Sequence, residues 1–349
     1  MNFGFSDTQF ELAGALDEVL ADICGPGVLR AEWENPGSRL PAIWTSLGEL
    51  GLLGLVVPED AGGQGAACVD VALMFERCGR HAVPGPLVEH IVVVAPAVGG
   101  EDPAALLPGL LAGTTIATAA EPGRDEVRWA VESSAVLMPG AAGWVLAERP
   151  EALPAQRSVD RSVTYGTITL GEAGVTPLDG YTFSPAIERA AAVAVSAQLI
   201  GIAGHLIRST VAYVRQRHQF GVPIGTQQAV KHKLADAVIA LEHARPAVYA
   251  AAWQVDHDGA TARRDVSHAR VTAAEAAYLA ARTALQCHGA IGYTWEHDLH
   301  LWFKRVLALS TAWGSMKFHR DILLREILGQ EASATSASPP MANGQSHGR

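Results

Sequence analysis

The chain has 349 residues, 49% of them hydrophobic and 18% charged, so it holds enough apolar material for a sizeable core and two or three domains. Its net charge of −10 argues against nucleic acid as a partner, because phosphate binding needs clustered Lys and Arg. The four cysteines, Cys24, Cys68, Cys78 and Cys287, show no CxxC or Cys/His ligand spacing, which predicts a reduced, cytoplasmic protein rather than a secreted or zinc-bound one.

The N-terminus MNFGFSDTQFELAGAL lacks a basic segment and an apolar run, so no signal peptide is expected. From Phe5 to about Ala117 the pattern is helical. Phe10, Leu12, Leu16, Leu20 and Ile23 recur at spacings near three and four in the first helix, with Ser6 before Asp7 as its N-cap. Further on, Gly62, Gly63 and Gly65 permit backbone conformations barred to other residues, so that loop either passes close to another surface or merely turns the chain. From about Thr118 to Thr182 short Val-, Ile- and Thr-rich runs alternate with turns: Ser134–Met138, Trp144–Ala147 and Val163–Leu170. They predict a small antiparallel β domain. Long Ala-rich helical patterns follow at Ala186–Arg217, Gln227–Asp258, Arg264–Cys287 and Leu299–Leu328. Their apolar positions leave more than one face to bury, which predicts a four-helix bundle engaged in oligomer contacts. The most apolar stretch, Ala190 to Ala203, is about 14 residues and too short to span a bilayer, so no membrane partner is expected. The last residues are small and polar with two prolines and read as a disordered tail. The expected divisions are 1–117, 118–183, 184–330 and the tail 331–349.

Two segments carry the chemistry. In RQRHQFGVPIGTQQAVKHKLAD, from Arg215 to Asp236, Arg217, Phe220 and Gly221 end one helix and a Gly/Pro turn leads to another near Gln227. In CHGAIGYTWEHDLHLWFKR, from Cys287 to Arg305, Gly289 and Gly292 follow Gln286 at the end of a second helix. Both resemble the flavin-binding segments of the acyl-CoA dehydrogenase family. WTSLGELGLLGLVVPEDAGGQG, from Trp44, resembles the family's N-terminal region, and Leu106 to Gly123 its entry into the middle domain. The resemblance covers most of residues 5–328 and is weakest over 124–183. It implies an α+β fold with an N-terminal helical domain, a small middle β domain and a C-terminal four-helix bundle. It also implies FAD as cofactor, α,β-dehydrogenation of an acyl-CoA substrate, and an electron acceptor protein as partner. Residue by residue, Arg217, Phe220 and Gln228 match contacts to the pyrophosphate and adenine. Gln286, Gly289 and Ala290 match the segment that reaches FAD bound mainly by a neighbouring subunit. The chemistry suits those roles: Arg offers a planar fork of donors, Phe stacks on adenine, and glycine lets backbone N–H groups approach phosphate. Ala290 stands where the family's second glycine is usual. Glu121-Pro122-Gly123-Arg124-Asp125 replaces the usual Glu-Pro and Gly-Ser-Asp group, and the aromatic-x-Thr/Ser element that contacts the isoalloxazine is missing.

The family's reaction needs a carboxylate to remove the α-proton. The two positions where the family places it match Trp313 and Ala191, neither of which accepts a proton. Glu188, Glu296 and Asp298 are nearby carboxylates. Glu188 lies one helical turn from the matching site and reads as a helix-start residue, and the other two, with His297 and His300, read as packing residues. The pattern resembles bacterial acyl-CoA dehydrogenases of lipid or steroid side-chain degradation that assemble as heterotetramers from one Glu-bearing chain and one lacking it. Three readings stand: such a base-lacking subunit, a self-sufficient homo-oligomeric flavoenzyme with another base or reaction, and a non-catalytic structural subunit.

Overall fold

A computed structural model describes residues 4–99, 105–141, 143–148, 151–170 and 174–328, and the expected tail lies outside them. Ser6 caps α1 (Asp7–Ile23): its Oγ accepts from the Gln9 N–H at 3.2 Å, and Gln9 Oε1 accepts from the Ser6 N–H at 2.8 Å. The buried stripe of α1 is Ala13, Leu16 and Leu20. Phe10 and Leu12, expected in that stripe, are more than half exposed, because the stripe's angular width admits only one residue per turn there. α2 (Pro26–Glu34), α3 (Leu40–Glu49) and α4 (Cys68–Arg80) follow. Between α3 and α4 the glycine loop makes a close approach: a Cβ on Gly63 would lie 2.1 Å from the Val57 carbonyl oxygen. A π-helical run, Val88–Val94, continues into α5 (Ala95–Val98), and α6 is Leu107–Leu111.

Among the described residues the middle region has seven strands, β1 (Ala117–Ala119), β2 (Glu126–Arg128), β3 (Ala135–Pro139), β4 (Trp144–Glu148), β5 (Glu151–Arg157), β6 (Thr164–Thr169) and β7 (Val175–Pro177). They form two sheets, β1-β3-β4-β7 and β2-β6-β5. The expectation of a wholly antiparallel domain is corrected at one pair. β1 and β3 run parallel, because the chain crosses to the other sheet through β2 and returns to the first from the same end.

The bundle consists of α7 (Pro185–Gln216), α8 (Gln228–Asp256), α9 (Ala262–His288), α10 (Leu299–Leu309) and α11 (Met316–Ile327), with a two-residue-stranded hairpin, β8 (His218–Gln219) and β9 (Val222–Pro223), between α7 and α8. The single last helix expected over Leu299–Leu328 is two helices. Trp313 and Gly314 have φ of 47° and 94°, which an α-helix cannot contain, and the Ser315 hydroxyl caps α11 by accepting from the Phe318 N–H. α7 agrees with the helix expected over Ala186–Arg217 and extends well beyond the most apolar stretch, Ala190 to Ala203. By length and composition it passes as a membrane span, yet most of it is buried beneath α4, α8 and α9 as the core helix. Glycine brings α4 and α7 together: a Cβ on Gly79 would lie 2.1 Å from the Gln198 oxygen, and one on Gly201 2.0 Å from the Glu76 oxygen.

One buried ion pair ties the three regions. Asp160, after β5, pairs with Arg305 of α10 and accepts from the Trp33 indole of α2 at 2.7 Å. Arg305 also donates to the Val83 carbonyl and the Ser162 hydroxyl, each at 2.7 Å. Every donor and acceptor of this cluster is therefore matched, which is the condition under which a buried pair holds.

Candidate functional site

The C-terminal ends of α7 and α9 meet at one end of the bundle through Tyr213 and His288, and most of the predicted site residues follow directly on those two ends. Arg217 leaves α7 in an extended conformation, its N–H donating to the Tyr213 carbonyl at 2.9 Å. In the hairpin that follows, Phe220 is held at φ 53° with 95% of its surface in solvent, and Gly221 at φ 81°. A non-glycine residue in the left-handed region with a bare aromatic ring is costly unless something outside the chain covers it. Gln228 is the exposed first residue of α8. At the end of α9, Gln286, Gly289 and Ala290 are exposed, and Gly289 has φ 63° with open space where a Cβ would stand. Tyr213 and His288 join the two segments by a ring stack with centroids 4.2 Å apart. An arginine fork, an exposed ring and an open glycine backbone fit the adenylate half of FAD.

The interior does not offer the same fit. Trp313 is 2% exposed, with its ring N–H donating to Glu89 Oε1 at 3.0 Å and its backbone N–H to Glu121 Oε2 at 3.0 Å. Its ring stacks on Phe183, which stacks on Trp144, so aromatic rings fill the space between β4 and the α10–α11 turn. The void left beside Trp313 is about 20 Å³, room for a water molecule and far too little for a tricyclic ring. Ala191, at the other matching position, is fully buried.

Glu89 escaped the sequence reading. It sits in the π-helical run, a geometry often found at functional sites. Burial pushes its carboxyl pKa upward, with Arg128 opposing. A single glutamate within the apolar run Leu87–Val94 was the available signal. Glu121 lies between the Arg128 and Arg124 guanidinium groups at 3.1 and 3.2 Å.

Glu188 stands in the first turn of α7, as expected, but is half-buried. Desolvation raises its pKa, while Arg189 and Arg263 pull it back. It lines a cavity of about 370 Å³ with Arg189, Arg263, Ser267, Phe318 and His319. Glu296 is exposed, and Asp298 pairs with Arg30 of α2 at 2.5 Å. His297 Nδ1 accepts from the Leu299 N–H, and His300 Nδ1 donates to the His297 carbonyl, so both histidines are committed to local structure. No cluster of three metal-ligating side chains occurs among the described residues.

Comparison with known proteins bears on the whole arrangement. Residues 6–111 match the model of the acyl-CoA dehydrogenase N-terminal domain, and residues 187–328 that of its C-terminal domain. The chain is 32% identical to the acyl-CoA dehydrogenase IpdE2 of Mycobacterium tuberculosis, over 82% of this chain and 87% of that one. Among solved structures it resembles the Tcur3481–Tcur3483 steroid acyl-CoA dehydrogenase variant, with a TM-score of 0.79 and 27% identity over 93% of this chain and 98% of the other. The ChsE4–ChsE5 complex of M. tuberculosis shares the fold at a TM-score of 0.80 and 24% identity, covering 95% of this chain and 100% of that one.

Proposed function

We propose, for a chain that belongs to the acyl-CoA dehydrogenase family and so to the FAD-dependent oxidoreductases, that it is a base-lacking subunit working beside a Glu-bearing partner. The observation that carries this reading is Trp313. The position matching the family's carboxylate holds an indole that is itself hydrogen-bonded and stacked, in a cleft with room for one water. Bound FAD would supply a hydride acceptor for the β-carbon of an acyl-CoA whose α-proton goes to a carboxylate. This chain's own residues supply positioning. Arg217 offers its fork to the pyrophosphate, Phe220 stacks on the adenine, and Gln228, Gln286, Gly289 and Ala290 complete the surface, all facing outward toward a flavin seated in the partner. Exposed Phe220 and Tyr293 near this end, with Ile239 on α8 and Tyr278 on α9, support an oligomer built through the bundle. The similarity to the Tcur3481–Tcur3483 steroid enzyme, which is named as a pair of chains, supports a hetero-oligomer and a bulky, ring-bearing acyl group. We assign 1–117 to the N-terminal helical domain, 118–183 to the β domain and 184–330 to the bundle, and an electron acceptor protein as the oxidising partner.

A second reading rests on Glu188. A half-buried carboxyl with a raised pKa, lining a cavity of about 370 Å³, would serve as the base of a self-sufficient enzyme. One experiment separates the two. The chain is purified alone and with its co-purifying partner, and flavin absorbance and acyl-CoA oxidation are followed. The subunit reading expects flavin and activity only in the pair, and their loss when the partner's glutamate becomes glutamine. Ordinary turnover by the single chain, abolished by Glu188→Gln, would overturn it.

A further inference from the structure

The nucleotide-facing surface is built from two segments some 70 residues apart in sequence, and their mutual geometry depends on one contact. Tyr213 belongs to the last turn of α7, and its carbonyl accepts from the Arg217 N–H at 2.9 Å. Its hydroxyl donates to the His288 carbonyl at 3.4 Å, at the last residue of α9. Its ring lies flat on the His288 imidazole, with centroids 4.2 Å apart and planes at 20°. Each partner is thus next to the business end of one segment: Tyr213 holds the turn that releases Arg217, and His288 immediately precedes Gly289.

The His288 ring is committed to this arrangement. It is 4% exposed, and its Nδ1 donates to the Ala284 carbonyl at 2.8 Å, since a carbonyl only accepts. Nδ1 therefore carries the proton, and the buried Nε2 keeps a lone pair with no partner among the described residues. The ring of His297 closes the other side at 4.7 Å. The ring's polarity serves only the Ala284 carbonyl within its own helix, and what joins the two segments is its flat ring on Tyr213 and its backbone carbonyl.

We propose that Tyr213 and His288 are positioning residues that clamp the Arg217–Phe220 and Gln286–Ala290 segments into one preorganised surface for the ADP moiety of FAD. This rests on the proposed role of those segments. The benefit is entropic: without the clamp, the hairpin and the α9 end would have to be brought into register at each binding event. Neither residue need touch the nucleotide.

The test uses the assembly purified through a tag on this full-length chain, stripped of flavin and titrated with FAD, with thermal unfolding measured in parallel. Tyr213→Phe keeps the ring stack and loses the hydroxyl contact, and is expected to weaken FAD binding about three- to tenfold with little change in Tm. His288→Phe keeps a flat ring of similar volume, and His288→Ala removes it. FAD should bind nearly as well to the first as to the wild type and at least tenfold more weakly to the second. Tyr213→Phe combined with His288→Ala should be no worse than His288→Ala alone, because both break one clamp. If the variants lower Tm while the folded protein binds FAD with wild-type affinity, the contact is merely structural and the proposal is overturned. Arg217→Ala separates this from the parent reading. Lost affinity there with wild-type affinity in the clamp variants refutes the clamp alone, whereas retained affinity in Arg217→Ala refutes the nucleotide surface itself.

Discussion

Trp313→Phe is the most direct probe of why the cleft is closed. The substitution keeps a ring that can stack on Phe183 but removes the indole N–H that serves Glu89 Oε1 at 3.0 Å. Glu89 is only 5% exposed and faces a void that holds one water at most, so losing the indole N–H costs roughly 1–3 kcal/mol. Glu89→Leu removes the acceptor instead. The double variant removes both polar groups and leaves neither orphan. Trp313→Phe should therefore cost about 1–3 kcal/mol more in the wild-type background than in the Glu89→Leu background. Urea unfolding of the four proteins reads that difference as a shift in midpoint at constant slope. Burial raises the Glu89 pKa, so the folded state holds its proton above the ordinary value of 4.5. Stability from this residue is present at low pH and declines as pH rises above 4.5 through the folded pKa, and Glu89→Leu removes that decline. Costs that add within 0.3–0.5 kcal/mol would refute the hydrogen bond as the lock on Trp313.

Asp160→Asn should destabilise by about 3–5 kcal/mol, because Arg305 is left charged and buried; thermal unfolding measures it. Burial alone would raise the Asp160 pKa, but Arg305, Ser162 and Trp33 outweigh it and hold the carboxyl below its ordinary 3.8. Its stabilisation is therefore complete above pH 3.8 and disappears only as pH falls through the lower folded value, which an acid titration of wild type against the variant will show. Gly201→Ala should cost at least about 1–3 kcal/mol, since the new methyl would lie 2.0 Å from the Glu76 carbonyl and α4 would have to move; a shift in chemical denaturation reports it. Arg217→Ala should weaken FAD retention in the assembly about ten- to a hundredfold, read by flavin fluorescence. Flavin retained at wild-type strength would remove Arg217 from the nucleotide surface.

The parts of this protein legible in its sequence are those set by local chemistry. Ser6 and Gln9 make their cap within one helical turn, and the Ala-rich periodicity of α7, α8 and α9 needs nothing beyond residues a few positions away to declare a helix. The helix ends at Arg217, Phe220, Gly221 and Gly289 were likewise legible from residue type and spacing, whereas a role toward a nucleotide came only from the resemblance to the family. That Trp313 and Ala191 match the family's two carboxylate positions was read from the resemblance. What surrounds Trp313 could not be read. Glu89 reaches Trp313 across 224 residues, and its meaning depends on burial that no local pattern reports. The break between α10 and α11 combines a local signal, Gly314 and the Ser315 cap, with a distant one, the Trp313 backbone N–H donating to Glu121 from the β domain. Glu188 looked like a helix-start carboxylate, and only the packing of α9 and α11 against α7 makes it the wall of a cavity. The parallel pairing of β1 with β3 depends on where β2 goes in between. Side chains read their own helix turn through the backbone, but a buried carboxylate acquires its partner, its protonation and its role only when distant segments exclude water around it.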